Sequence, residues 1–232
     1  MSTTMTLKTL DGADSFSAYF ARPSGKPKAA IIVIQEIFGV NAGIRRKCDK
    51  LAEEGYLAIA PDLFFRLEPS IELNPDIAAE MDRAMELFEK YDPDMGVRDI
   101  EATIRWIRTE AGVAKVGCVG YCLGGKMAYM TAARTDIDAS VGYYGVMIDQ
   151  MLDEAKAIAH PLLLHVPTAD HFVDGDAQKA MHDGLDDHPK VTLYDYEGLD
   201  HGFATEHGER RNEEGAQLAD KRTHEFFATH LA

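Results

Sequence analysis

The stretch Ala114–Lys126, AKVGCVGYCLGGK, constrains this chain more than any other. Lys115–Val119 is short, apolar and rich in β-branched residues, which predicts a buried strand. Gly120-Tyr121-Cys122-Leu123-Gly124 follows without a linker, and a helical pattern then runs from about Gly125 to Arg134. The flanking glycines let the chain reverse sharply, because a Cβ there would strike the adjoining strand or helix. The residue between them is held in a strained turn, with its side chain raised above a sheet. That residue is Cys122, at a helix N-terminus whose dipole and free N–H groups favour a thiolate and an oxyanion. Two other readings compete. Gly120-x-x-x-x-Gly125-Lys126 satisfies most of a phosphate-loop pattern, but Met127 stands where that loop needs a hydroxyl for Mg²⁺. Cys122 could also be a plain buried thiol.

The rest of the chain decides between them. Thr6–Leu10 and Ser15–Ala21 flank Asp11-Gly12 and predict an antiparallel hairpin. Ala29–Ile34 is continuously apolar, as suits a strand covered on both faces. It is followed by the loop Gln35–Asn41, a surface helix over Ile44–Glu54 ended by Gly55, and a strand at Tyr56–Ala60. Leu63–Asp76 has no clear period and contains Pro69 and Pro75. Two helices, Ile77–Tyr91 and Met95–Thr109, are split by Asp92-Pro93. After Cys122 and its helix come strands at Ala139–Tyr144, Pro161–Val166 and Val191–Tyr196. Helices are predicted near Gln150–Ile158, over Asp176–Leu185 and over Asn212–His230. The expectation is one α/β domain over 1–232, with 63–93 as a cap-like insertion. Its sheet would be mainly parallel and doubly wound, with about seven or eight strands flanked by helices. Sites in such sheets lie at the carboxyl ends of strands.

Two of those ends carry further candidates. PLLLHV runs out into Thr168-Ala169-Asp170-His171, and VTLYDY into Leu199-Asp200-His201-Gly202-Phe203. The order Cys122, Asp170, His201 is nucleophile, acid, histidine, in which the imidazole pairs with the thiolate and the carboxylate fixes its tautomer. Asp174 is an alternative acid and His171 an alternative base. A nucleotide site has no use for a histidine after the last strand. Cys48 and Cys118 read as packing thiols, and His201 and His207 have no third partner at ligand spacing, so no metal is expected.

The chain resembles the dienelactone hydrolase family of α/β-hydrolases. The resemblance is carried by IIVIQEIFGVN (31–41), EEGYLAIAPDLFFR (53–66), GCVGYCLGGKMA (117–128), VGYYG (141–145), ADHFV (169–173) and DHGFA (200–204). It implies a cofactor-free hydrolase of an ester or lactone, working through a Cys122–His201–Asp170 triad and a thioester acyl-enzyme. It implies further that Glu36 helps to switch the thiol into its reactive form, and that the N–H groups of Leu123 and Ile37 form the oxyanion hole. Phe38, Tyr143, Met81, Met85 and Thr205 are the implied substrate-binding positions. Met81 and Thr205 stand where the family's two carboxylate-binding arginines are expected, so the anion clamp is altered. A general small-ester carboxylesterase is the alternative within hydrolases, and a nucleotide-binding protein the alternative outside them.

Composition excludes some partners. A net charge of −15 over 232 residues argues against nucleic acid, which needs clustered Lys and Arg. No apolar run has the length of a membrane span, and the N-terminus lacks a signal-peptide core. Three cysteines, at 48, 118 and 122, form no disulfide framework, which fits a reducing cytoplasm. The expected protein is cytoplasmic, and a monomer or small homo-oligomer.

Overall fold

The computed structural model describes residues 2–206 and 208–232. The chain divides into two compact units, Met1–Gly117 and Cys118–Ala232. In the first, β1 (Ser2–Lys8), β2 (Ser15–Ala21), β3 (Ala30–Ile34) and β4 (Leu57–Pro61) lie in the order β1-β2-β4-β3. The leading hairpin is antiparallel, β2 pairs antiparallel with β4, and β3 and β4 are parallel. Every residue of β3 and β4 is buried, which is why both read as unbroken apolar runs. Three helices accompany them: α1 (Ala42–Glu53), α2 (Ala78–Lys90) and α3 (Pro93–Thr109). Asn41 caps α1 by accepting from Ile44 N–H, and Asp92 caps α3 from just before Pro93.

The expected insertion resolves into turns followed by α2. Its start is pinned by Asp62, which accepts from the N–H groups of Phe64 (3.0 Å) and Ser70 (2.7 Å). A single bridge then ties Glu72 to Gly39.

The division between the units falls inside β5 (Val116–Tyr121). The second unit continues with α4 (Leu123–Arg134), β6 (Ala139–Tyr143), β7 (Leu162–Pro167), α5 (Gly175–Leu185), β8 (Val191–Tyr196) and α6 (Glu213–His230). Strand order is β5-β6-β7-β8, with β6, β7 and β8 parallel. The helix expected over Gln150–Ile158 is instead a 3₁₀ segment, Ile148–Ala157, interrupted at Met151 (φ −129°).

Two packing features of this unit position the site. First, α4 is pressed onto β6 through glycines. A Cβ on Gly125 would lie 2.7 Å from both Gly145 Cα and Tyr143 O. A Cβ on Gly120 would run into the Gly124 carbonyl. Second, α6 is docked by a buried polar chain. Tyr143 donates its hydroxyl to Asp220 (3.0 Å), so Tyr143 Oη must accept from Thr223 Oγ1 (2.7 Å). Thr223 then accepts from His165 Nε2 (2.9 Å), and His165 Nδ1 accepts from the Tyr196 hydroxyl (2.6 Å). Burial, helped by the charge of Arg222, pushes the His165 imidazole down to about 3. It therefore stays neutral, as one donor and one acceptor require.

The glycine contact is testable. Gly125→Ala sets a methyl against backbone that cannot turn aside, so urea denaturation should show a loss of about 1–3 kcal/mol or more. Gly175→Ala, where a Cβ meets nothing within 4 Å, serves as the unstrained control.

Candidate active site

Cys122 caps α4 with φ 56° and ψ −114°, a conformation L residues rarely adopt. Its N–H donates to Tyr143 O (3.0 Å), and its carbonyl accepts from Gly125 and Lys126 N–H (2.9 and 3.2 Å). The turn is thus tied to β6 on one side and to its own helix on the other. Leu123 N–H belongs to the first residue of α4, whose N–H groups have no carbonyl of the preceding turn to bond.

Asp170 and His201 come from the ends of β7 and β8, and both side chains are about 1% exposed. His201 Nδ1 donates to Asp170 Oδ2 (2.9 Å) and lies 3.1 Å from Oδ1. Asp170 Oδ1 also accepts from the N–H groups of Phe172 (2.8 Å) and Val173 (3.2 Å), so its loop is folded around the carboxylate. Burial alone would lower the basicity of His201. The charge on Cys122, the hydrogen bond donated to Asp170 and the polar contact with Cys122 outweigh it and raise the imidazole to about 10. Nε2 has no hydrogen-bond partner of good geometry among the described residues, and so remains open for a proton transfer. His201 is thus hydrogen-bonded to Asp170 and lies near enough to Cys122 to be influenced by its charge.

The alternatives are placed elsewhere. Asp174 caps α5 by accepting from Ala177 N–H (2.9 Å). His171 is exposed and bonds Asp200 through Nδ1 (2.8 Å). Ligand atoms of Asp170, His171 and Asp200 lie within 4.8 Å of one another. We read this group as a hydrogen-bonded cluster, because Asp170 is already engaged with His201 and two backbone N–H groups. His207 lies outside the described residues. Cys48 and Cys118 are fully buried; burial drives both thiols up, Cys118 to about 12.

One expected substrate contact is corrected. Tyr143 is fully buried and spends its hydroxyl on Asp220 and Thr223, so it belongs to the α6 docking chain. Its neighbour Tyr144 (φ 38°) instead lays its ring 4.9 Å from that of His201 and packs on Phe203. Phe172 meets His201 edge-on at 4.8 Å. Neither was expected from the sequence, although strand alternation held the signal. Gly142 abuts Gly125 of α4, so Tyr143, one residue on, must face the other side.

The remaining candidates are placed as follows. In the first unit, Glu36 is buried just after β3, and its Oε1 has no hydrogen-bond partner among the described residues. Ile37 and Phe38 form the next turn, where Phe38 is buried and its carbonyl accepts from Leu73 N–H (2.9 Å). Met81 and Met85 lie half-buried on α2. In the second unit, Thr205 is buried, with Oγ1 lacking a partner among the described residues, and its carbonyl accepts from Arg211 (2.7 Å).

An α/β sheet with a cysteine in a strained strand-to-helix turn, followed by an acid and a histidine at later strand ends, defines an α/β-hydrolase. Comparison with known proteins narrows this. The model of the "Dienelactone hydrolase family" matches residues 16–231, and the chain belongs to that family. It is 41% identical over 219 residues to a provisionally named carboxymethylenebutenolidase of Azospirillum brasilense, covering 94% of each chain. It is 36% identical over 225 residues to a carboxymethylenebutenolidase of Pseudomonas putida, covering 97% of this chain and 95% of that one. A crystal structure of a provisionally named dienelactone hydrolase from Klebsiella pneumoniae superposes with a TM-score of 0.86 at 28% identity, covering 98% of this chain and 99% of the other. The protein is a hydrolase of the dienelactone hydrolase type.

The electrostatics of His201 yield a prediction. Its folded value lies above the ordinary 6.5, so its charged form contributes stability that is fully present below about 6.5 and lost as pH rises through about 10. NMR titration of the His201 ring should find the imidazolium persisting through neutrality. In Cys122→Ala the midpoint should fall, since the largest upward influence is removed. An unchanged midpoint in that variant would show that Cys122 carries no charge beside it.

Proposed function

We propose that the enzyme hydrolyses a carboxylic ester or lactone through a Cys122–His201–Asp170 triad and a thioester acyl-enzyme. The observation that carries this reading is His201. It is buried, its Nδ1 is committed to Asp170, and it is raised to about 10 chiefly by the charge on Cys122 against the effect of burial. This supports the proposed pairing of Cys122 with a protonated His201, in which nucleophile and proton donor would be ready before substrate arrives.

The Cys122 sulfur attacks the carbonyl carbon, and the electron pair moves to oxygen. By the family resemblance, Leu123 and Ile37 N–H hold that oxyanion. Collapse expels the alkoxide, which takes the proton from His201 Nε2 and leaves as the alcohol. His201, now neutral, removes a proton from water, which attacks the thioester. The second collapse releases the acid and restores the charged pair. Asp170 keeps Nδ1 protonated throughout, so Nε2 is always the nitrogen that exchanges the proton. Glu36 is assigned thiol activation by the resemblance, supported by a buried carboxylate oxygen without a partner among the described residues. Thr205 offers a buried hydroxyl in the same condition, here assigned to the substrate.

The phosphate-loop reading finds little support. Lys126 is buried, with Nζ 3.6 Å from Met147 Sδ, rather than presented at the mouth of a loop.

Iodoacetamide should alkylate Cys122 well before Cys48 or Cys118, whose burial keeps them as thiols. Cys122→Ala should abolish turnover of an aryl ester while the protein stays folded, with the far-ultraviolet circular dichroism of the parent. Retained turnover would end the proposal, and stabilisation by ATP·Mg²⁺ in a thermal shift would favour the phosphate loop. For Glu36→Gln we expect kcat to fall more than KM rises, because thiol activation acts on the chemical step and not on uniform binding. A variant with parental kcat would leave Glu36 a purely structural role.

A further inference from the structure

Resting on that acyl-transfer reading, we propose that the cavity beside His201, between the 3₁₀ segment and α5, receives a cationic ammonium group of the ester substrate. The cavity has a volume of about 390 Å³. Phe172 joins it to the chemistry: its ring lines the cavity and meets His201 edge-on at 4.8 Å, yet it remains 47% exposed. Met147, 36% exposed and in the left-handed region (φ 60°), is the second large apolar group of the lining. Few large apolar side chains among the described residues are exposed, and two of them share one cavity next to the histidine. That placement marks a binding surface.

The charge of the lining selects the ligand. Its ionisable residues are Asp149, Asp174 and Asp176, and no Lys or Arg contributes. Asp174 is occupied with the N-terminus of α5, and by accepting from Ala177 N–H it also answers the positive end of that helix. Asp149 and Asp176 have no ion-pair partner among the described residues. Each sits in the first turn of its helical segment, and an aromatic ring beside two carboxylates that form no ion pair among the described residues is the chemistry that holds an ammonium group. Lys126 reaches Met147 Sδ at 3.6 Å but does not line the cavity.

The positions that would favour the opposite charge are changed or engaged. Met81 and Thr205 cannot bind a carboxylate as a guanidinium does. Arg66 makes a two-point pair with Asp99, and Arg83 pairs with Glu68 and Glu86. Arg210 is the competing anchor for an anion, because its guanidinium would lie 3.3 Å from a Cβ on Gly202, next to His201.

Two experiments on the intact protein test this. The first compares the rates at which neutral, ammonium-bearing and sulfonate-bearing methanethiosulfonates label Cys122, and needs no turnover. The second compares kcat/KM for size-matched neutral, ammonium and carboxylate esters. In both series the cationic compound should exceed the anionic one by about tenfold or more, equivalent to at least about 1.4 kcal/mol. Asp149→Asn with Asp176→Asn should cut that ratio by most of its value. Glu89→Gln with Glu225→Gln, the same charge change at exposed positions that do not line the cavity, should not, which separates the cavity from the general field of an acidic protein. A preference for the carboxylate compound overturns the inference and points to Arg210. Equal rates, or a ratio that both double variants reduce alike, also overturn it and leave acyl transfer standing. Absence of both labelling and neutral-ester turnover instead overturns the acyl-transfer reading, and this inference with it.

Discussion

The close approach of α4 to β6 is the constraint on which the rest of the second unit depends. Gly125 lets the helix backbone come within contact of Tyr143 O and Gly145, at distances a Cβ would prevent. The approach allows Cys122 N–H to reach Tyr143 O (3.0 Å), and the chain can do so only by turning Cys122 into φ 56°. Such a conformation costs on the order of 1–3 kcal/mol, and persists only where surrounding contacts over-determine it. Here the buried strand, the glycine contacts and the helix bonds to the Cys122 carbonyl all do so. Strain in the turn and the placement of Cys122 at the head of α4 are therefore one geometric fact.

The same packing divides polar work between the two faces of β6. Tyr143 looks toward α6 and ends a chain of hydrogen bonds whose direction is set by Asp220. Because Tyr143 must donate to that carboxylate, every earlier member has its proton assigned, back to Tyr196 on β8. Tyr144 looks toward His201, and with Phe172 supplies apolar ring contacts to the imidazole. A drier shell strengthens attraction between the imidazolium and a charged sulfur while it raises the cost of each charge alone. His165 and His201 show both outcomes: burial leaves the first neutral at about 3, while adjacent negative charge carries the second to about 10.

How much was legible in the sequence follows from which signals are local. The strands β3 to β7 are short apolar runs bounded by turns, and their existence was readable because burial on both faces leaves only that pattern. Cys122, Asp170 and His201 were readable as candidates because a strained turn needs glycines and because strand ends of such a sheet are where site residues fall. The identity of the ring over His201 was missed because Tyr143 and Tyr144 are adjacent, and only the pleat decides which faces the site. The 3₁₀ segment was misjudged as an ordinary helix, since its break at Met151 is not marked by Pro or Gly. Phe172 was hidden by its loop, where no period tells which way a ring points.

Substrate charge is where residue patterns and geometry combine. Replacing a guanidinium by Thr205 or Met81 removes attraction, but an absent cation does not by itself select a cation. Selection requires negative charge placed within reach of the reacting carbonyl. Most of the excess negative charge cannot act there, because exposed charges are screened within roughly 8–10 Å at ordinary salt. A net charge of −15 therefore says little about the site. Asp149 and Asp176 differ from the bulk because they share a cavity with Phe172, whose ring touches that of His201. They lie beside an apolar surface that a methylated or alkylated ammonium can also cover. The Arg210 guanidinium approaches Gly202, next to the same histidine, so under the proposed mechanism the relative reach of one guanidinium and two carboxylates sets which substrate charge is favoured.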